Sequence, residues 1–467
     1  MKKIFLIFFL VINTHIFGQM SGSVGTTDAI SMAMGKSSVI SSRGVYSMNV
    51  NPANLAIKQN HTFEISSFLP IPNGVFLVGN EFISFEDFNY FFGGETDEFG
   101  NVVGREISEA DKERLLNSMN DGSGHFASSS LNLLSFTYDL PNSSSAIGFS
   151  INEFAAEHGT VPQDFVDLVL NGNEIGKKYS LDSFQFRSLY MREYSVSYAT
   201  SIKGFLSSLF ENFSAGISLK LVHGFGYSNV EKANISLETL DDYSIHLVSD
   251  FLAKVAVSED YNIEWDFLDV PRKTSWTPFP SPAGTGFGFD VGFTGTINDK
   301  WTLALALSDV GGISWKNETV EYTSNGEFTI TDITEGTLID TLQALLEPQG
   351  SFTDGFSTSL PTVFRMGIGF NSKRLGVVFG YAQGLNNEPS NTTNPRFSLG
   401  AEFYAWEFLP LRTGFSAGGI TQFEWSFGFG LDFGLLEMNF ATSDIISFFK
   451  GNSAKKNVFA FGSRWKF

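Results

Sequence analysis

The sequence predicts a closed antiparallel β-barrel that spans a membrane, with about fourteen strands, an N-terminal segment set apart from them and long loops containing short helices. Three observations carry this fold class. First, the final residues, 457–467, alternate large apolar side chains with small or polar ones and stop on an aromatic. Phe459, Phe461, Trp465 and Phe467 share one face of an extended strand, and Ala460, Gly462, Arg464 and Lys466 share the other. Second, 50 Phe and 46 Gly stand beside only 17% charged residues, where soluble domains carry about a quarter. Third, no segment approaches the roughly eighteen unbroken apolar residues of a spanning helix. A closed barrel is then the structure able to satisfy its backbone in lipid.

Counting back from Phe467, alternating runs fall at 457–467, 435–443, 423–432, 410–418, 396–405, 374–382, 361–370, 301–309, 286–297, 213–224, 192–202, 144–153, 130–138 and near 61–81. The last contains Pro70 and Pro72 and reads as one kinked strand or two shorter ones, so sixteen strands stay open. With Phe467 on the periplasmic side, the connections near Leu435, Glu407, Ser372, Asp299, Leu206 and Asn142 are periplasmic and short. Those at 82–129, 154–191, 225–285 and 310–360 become long and extracellular. Within them, Ser108-Glu-Ala-Asp111 is a capping pattern for a helix ending near Met119, Pro162 starts a turn through Val169, and 337–346 spaces Leu338, Leu342 and Leu345 on one face. Such helices either guard an entrance for an apolar ligand or cap the barrel mouth.

Along the strands the two faces differ. Phe423, Trp425, Phe427, Phe429, Leu431 and Phe433 alternate with Glu424, Ser426, Gly428, Gly430 and Asp432, and Phe287, Phe289, Val291 and Phe293 alternate with Gly288, Asp290 and Gly292. A soluble sandwich seldom needs Phe or Trp at nearly every buried position of such strands, so the large groups are read as facing lipid. The lumen then receives small residues and charges of both signs: Glu193, Asp290, Glu402, Glu424, Asp432 and Glu437 against Lys220, Arg365, Arg374, Arg396, Arg412, Arg464 and Lys466. Near balance fits a lumen packed against a plug, neutralised by internal pairs, better than the biased ring of an ion-selective pore. The bland reading is a solvated channel wall.

The net charge of −20 therefore sits mostly in loops, as at Glu95, Asp97 and Glu98 or Glu238, Asp241 and Asp242, and excludes nucleic acid as a partner. At the N-terminus, Lys2 and Lys3 precede an apolar run at 4–12. This reads as a signal peptide over 1–18, cleaved before Gln19, and directs the chain to export and the outer membrane. The chain has no cysteine, which removes a lipoprotein anchor, disulfides and thiolate metal sites.

Gly414-Phe-Ser-Ala-Gly418 matches a nucleophile-elbow spacing, but it lies on an alternating strand rather than a strand–turn–helix, and strand glycine explains it better. His61, His125, His158, His223 and His246 show no metal-site spacing. Neither a cofactor, a metal nor an enzymatic activity is expected.

Residues 19–60 are too long for a tail and too short for a domain. They contain Ala29-Ile-Ser-Met-Ala-Met-Gly35 and Asn49-Val-Asn-Pro-Ala-Asn-Leu-Ala56. The pairing of Ala-Met-Gly with Asn51, Pro52, Ala53 and Asn54 resembles the N-terminal region of FadL-like outer-membrane barrels, a group that includes PorV-like proteins of the type 9 secretion system. The resemblance implies that 19–60 folds into the lumen as a hatch and that 61–467 is the barrel. The closing strand, with Phe459, Phe461, Trp465 and Phe467, resembles the C-terminal signal read by the barrel-assembly machinery. Met191-Arg-Glu-Tyr194, 284–290 and 308–315 are similar to an outer-membrane family of unknown function from Bacteroidota, and the form of the signal peptide resembles signal peptides of the Bacteroidota. Two functions follow as expectations: passive uptake of a hydrophobic or amphipathic ligand through a plugged barrel, or a scaffold for surface or secreted proteins.

Overall fold

The computed structural model describes residues 28–467 apart from 120–122, 205, 207, 269–271, 299, 332–348 and 390. The leader expected at 1–18 and the helix expected at 337–346 lie outside the described residues. Strands β1 (Phe63–Ser67) and β2 (Asn73–Asn80) flank the two prolines and together form one stave of the wall. Both pair with β3 (Ser123–Asp139) on one side. Proline has no amide to give to a ladder, so the stave breaks there into two short strands.

The rest follow in order: β4 (Ser145–Val161), β5 (Gln185–Ser201), β6 (Asn212–Thr239), β7 (Ile245–Val257), β8 (Gly284–Ile297), β9 (Trp301–Trp315), β10 (Thr319–Ile330), β11 (Val363–Asn371), β12 (Leu375–Gly384), β13 (Arg396–Trp406), β14 (Leu409–Gly418), β15 (Glu424–Asp432), β16 (Leu436–Thr442) and β17 (Lys456–Lys466). Neighbouring wall strands are antiparallel, and β17 returns to pair with β1 and β2, for instance Glu64 with Lys466 and Gly74 with Phe461. The ring of fourteen staves is thereby closed. At the seam the Phe467 carbonyl accepts the amides of Thr62 at 2.8 Å and Phe63 at 3.0 Å.

The short connections fall at 140–144, 202–211, 298–300, 372–374, 407–408 and 433–435, where the alternation placed them. Asn142 and Asn298 both take a left-handed φ of 56° there, a conformation asparagine tolerates. The long connections differ from expectation in holding much strand. The run expected at 213–224 continues to Thr239, and β7 pairs with the outer half of β6 and with β10, off the wall. At 28 residues, β6 is roughly 90 Å long against a hydrocarbon layer of about 30 Å. Beyond lipid no apolar face is required, so polar Asn229, Glu231, Lys232 and Asn234 continue the ladder without the alternation that reveals it.

The exterior band is apolar. Phe423, Trp425, Phe427 and Phe429 are exposed while Glu424 and Ser426 between them are buried, and Phe287 is 75% exposed beside fully buried Asp290. That is the burial of a soluble strand turned inside out, as lipid requires.

Candidate functional site: a plugged lumen and the cavity above it

Residues 28–57 lie inside the ring and are almost wholly buried. Two short helices open this segment, α1 (Ala29–Ala33) and α2 (Ser38–Ser41). Asp28 caps α1, accepting the Ser31 amide at 2.8 Å and its hydroxyl at 2.6 Å. The Asn51–Asn54 motif then forms a cross-braced knot. Pro52 starts a 3-10 turn where no amide is needed. The Asn51 carboxamide oxygen accepts the Ala53 amide at 3.2 Å. Its nitrogen donates to the Val39 carbonyl at 3.1 Å and to the Thr294 hydroxyl of β8 at 2.9 Å. Asn54 donates to the carbonyls of Val39 and Ser42, each at 3.0 Å, and accepts from Thr294 at 2.7 Å. Fully buried backbone carbonyls are thus satisfied by side chains, which is what two asparagines at this spacing provide.

Small wall residues make room for this backbone. A methyl group on Gly414 would stand 2.3 Å from the Gly35 nitrogen, and one on Gly400 2.4 Å from the Met34 oxygen. On the other side, a methyl on Gly216 would meet the Pro52 carbonyl carbon at 2.4 Å and one on Gly292 the Asn51 side-chain oxygen at 1.9 Å. The Gly414–Gly418 stretch is a seat for the plug, and Ser416 within it donates to Glu424 at 3.4 Å.

The charges sort into pairs. Lys36 of the plug meets Glu424 at 2.5 Å, both side chains fully buried, and donates to Thr421 at 3.3 Å. Arg464 of β17 bridges Glu437 at 2.8 Å and Glu64 at 3.2 Å, donates to the Arg43 carbonyl at 3.2 Å and lies 5.0 Å over the Tyr46 ring. Lys466 reaches Asp432 at 2.7 Å and Glu437 at 3.3 Å. Arg412 pairs with Glu402 and donates to Asn439 at 2.8 Å. Lys220 gathers Asp290 at 3.0 Å, Glu193 at 3.4 Å and Asp309. Arg365 is buried and donates to Ser308. Arg374, expected in the lumen, is instead exposed in the turn 372–374, because β12 begins one residue later and leaves it outside the pleat. Alternation did not single out Lys36, Glu64 or Asp309. Glu64 could have been found, since it stands between Phe63 and Ile65 in the same pattern as the rest.

The terminal aromatics divide by exposure. Phe459 is 47% and Phe467 56% exposed, Phe461 and Trp465 are half-buried, and Val458, Ala460 and Arg464 face inward. Phe76 of β2 stacks on both Phe459 and Phe461 with ring centres 5.3 Å apart across the seam.

At the long-loop end, above Lys36, lies a narrow cavity of about 40 Å³ that opens to solvent. Leu77, Phe126, Val363 and Ile420 form its apolar walls, Glu157, His158, Asn391 and Arg396 its polar rim, and Thr421, which holds Lys36, is part of its floor.

The chain is similar to three solved structures at low identity. A TodX monoaromatic hydrocarbon channel mutant is 12% identical with a TM-score of 0.49, covering 96% of this chain and 99% of its own. The Ralstonia pickettii toluene transporter TbuX is 14% identical with a TM-score of 0.46, covering 95% and 99%. A Pseudomonas aeruginosa FadL homologue is 11% identical with a TM-score of 0.46, covering 96% and 100%. No curated protein matches the sequence. The sequence does match, over residues 52–443, the model of a family of unknown function, DUF5723. That span starts at Pro52 of the plug and runs through sixteen of the seventeen numbered strands to the end of β16, so this β-barrel protein belongs to the DUF5723 family.

Proposed function

We propose that the protein passes hydrophobic or amphipathic small molecules inward across the outer membrane. A ligand enters among the extracellular loops, rests in the cavity and leaves when the plug shifts. The cavity carries this reading: it is apolar on its walls and polar at its rim, and its floor is hydrogen-bonded to the plug through Thr421 and Lys36. A bound ligand is thereby in contact with the groups that hold the plug, which is what coupling of occupancy to release requires. The test is Ala382→Trp, which fills the cavity from β12. A fluorescent dodecanoate analogue is added outside proteoliposomes that contain trapped albumin. Wild-type vesicles are expected to load it about tenfold faster than empty ones, and A382W vesicles at the empty rate. Equal loading by wild-type and empty vesicles would sink the proposal.

A second reading, a scaffold for surface or secreted proteins, draws support from the β6–β7–β10 sheet that stands beyond the wall. It requires a stoichiometric partner on pull-down from native outer membrane; its absence tells against the scaffold.

A further inference from the structure

Two short helices at the long-loop rim leave large apolar side chains exposed. Helix α3 (Phe85–Phe92) follows β2 directly, and α6 (Ile445–Lys450) stands between β16 and β17. The first is tied to the segment that follows the second. The Phe85 amide donates to the Ala454 carbonyl at 2.9 Å, Ser453 to Glu86 at 3.3 Å, and Lys455 to the Glu81 carbonyl at 3.2 Å. Ser443, just before α6, donates to the lumen carboxylate Glu424 at 3.0 Å, and on α6 Ser447 is buried and donates to its cap Asp444 at 2.7 Å. Ile446 and Phe449 face outward, Phe449 at 80% exposure. On α3, the Phe88 and Phe92 rings lie one turn apart, tilted, with centres 5.1 Å apart, and are likewise exposed. Of the helices between them in the chain, α4 (Glu109–Ser118) buries Leu115 and exposes Glu109, Glu113 and Arg114, as a water-facing helix does, while α5 (Gln163–Asn171) has no buried residue and exposes Val169.

The patch continues the lipid-facing band. Val78 of β2 and Phe459 of β17 are exposed rungs of that band, and both strands lead straight into the loops that carry these helices. We infer that α3 and α6 form an interfacial collar, with Phe88, Phe92, Ile446 and Phe449 seated at the headgroup boundary of the outer leaflet. Aromatic side chains favour that layer, and Lys450 beside Phe449 suits its phosphates. The collar fixes the height of the barrel in the bilayer at the seam, where β1, β2 and β17 meet.

The sequence has no cysteine, so a single introduced thiol is a unique handle. Phe88→Cys, Phe92→Cys, Ile446→Cys and Phe449→Cys, each carrying a nitroxide, are compared in proteoliposomes by collision with oxygen and with a water-soluble nickel chelate. Phe427→Cys serves as the mid-band reference and Asp241→Cys, in the turn after β6, as the aqueous one. Retention of the folded band in unheated gels shows that each variant has folded. The expected result is an oxygen-to-nickel collision ratio about fivefold above that of the 241 site at all four positions and below that of the 427 site. Ratios equal to the 241 site place the patch in water and overturn the collar. Loss of both collision rates shows protein covering the patch and overturns it equally.

Discussion

Arg464 belongs at once to the wall, the seam and the plug. Its guanidinium holds Glu437 of β16 and Glu64 of β1 and also donates to the carbonyl of Arg43. Taking one partner from a buried ion pair leaves the others charged in a poor solvent, at a cost of about 3–5 kcal/mol. Arg464→Met is therefore expected to lower barrel stability by about that amount in urea unfolding from lipid vesicles. The double variant Glu64→Gln/Glu437→Gln should recover part of the loss when combined with it. Arg464 was legible in the sequence because alternation put it on the small-residue face. Its partner Glu64 is 400 positions away, and no local pattern expresses a contact that only ring closure creates. Lys36 was hidden for the same reason, its partner Glu424 lying on β15.

At the scale of elements, the wall strands were legible because lipid enforces a period of two, with Phe and Trp outward. The outer lengths of β6, β7 and β10 were not, since water relaxes that rule. The plug seat is a matter of backbone approach rather than of side-chain chemistry. Gly414→Val would place carbon where the Gly35 nitrogen lies. The expected outcome is a closed barrel, still shifting on unheated gels, whose plug is displaced and whose Lys36 and Arg43 become open to trypsin. The spacing at Gly414–Gly418 that mimics a nucleophile elbow is explained by this contact.

Among the loop elements, α4 is closed by a reciprocal cap between Ser108 and Asp111. The Ser108 hydroxyl, chiefly, holds the Asp111 carboxyl below its usual range. A depressed carboxylate contributes stability that is present above its unfolded pKa and lost as pH falls through the lower folded value. The hydrogen-exchange protection factors of the Asp111 and Lys112 amides should therefore hold at neutral pH and fall only in acid below the ordinary aspartate range, whereas Ser108→Ala should lower them at neutral pH.

For the whole molecule, the lumen charges of both signs form separate clusters on different arcs of the ring, and the one around Lys220 gathers three carboxylates. The plug is in contact with two of them, through Lys36 near the cavity and through Arg43 near the short-turn end. Removing residues 19–57 is expected to leave a ring whose ion conductance in planar bilayers exceeds that of the intact protein several-fold. Equal conductance would mean that the segment does not obstruct the lumen. The cavity itself was beyond sequence reasoning, because Leu77, Phe126, Val363 and Ile420 come from separate parts of the chain and converge only after the ring is drawn.

The seam has one more consequence, for the order of events in biogenesis. Glu64, which accepts the Val45 amide of the plug at 2.8 Å, sits on the first stave, and the arginine that fastens it sits on the last. The lower mooring of the plug is therefore assembled only when the two ends of the wall meet. A chain stalled with its ends apart lacks both a sealed circumference and a seated stopper, so a half-made barrel is defective on two counts and a completed one is shut from the moment it forms.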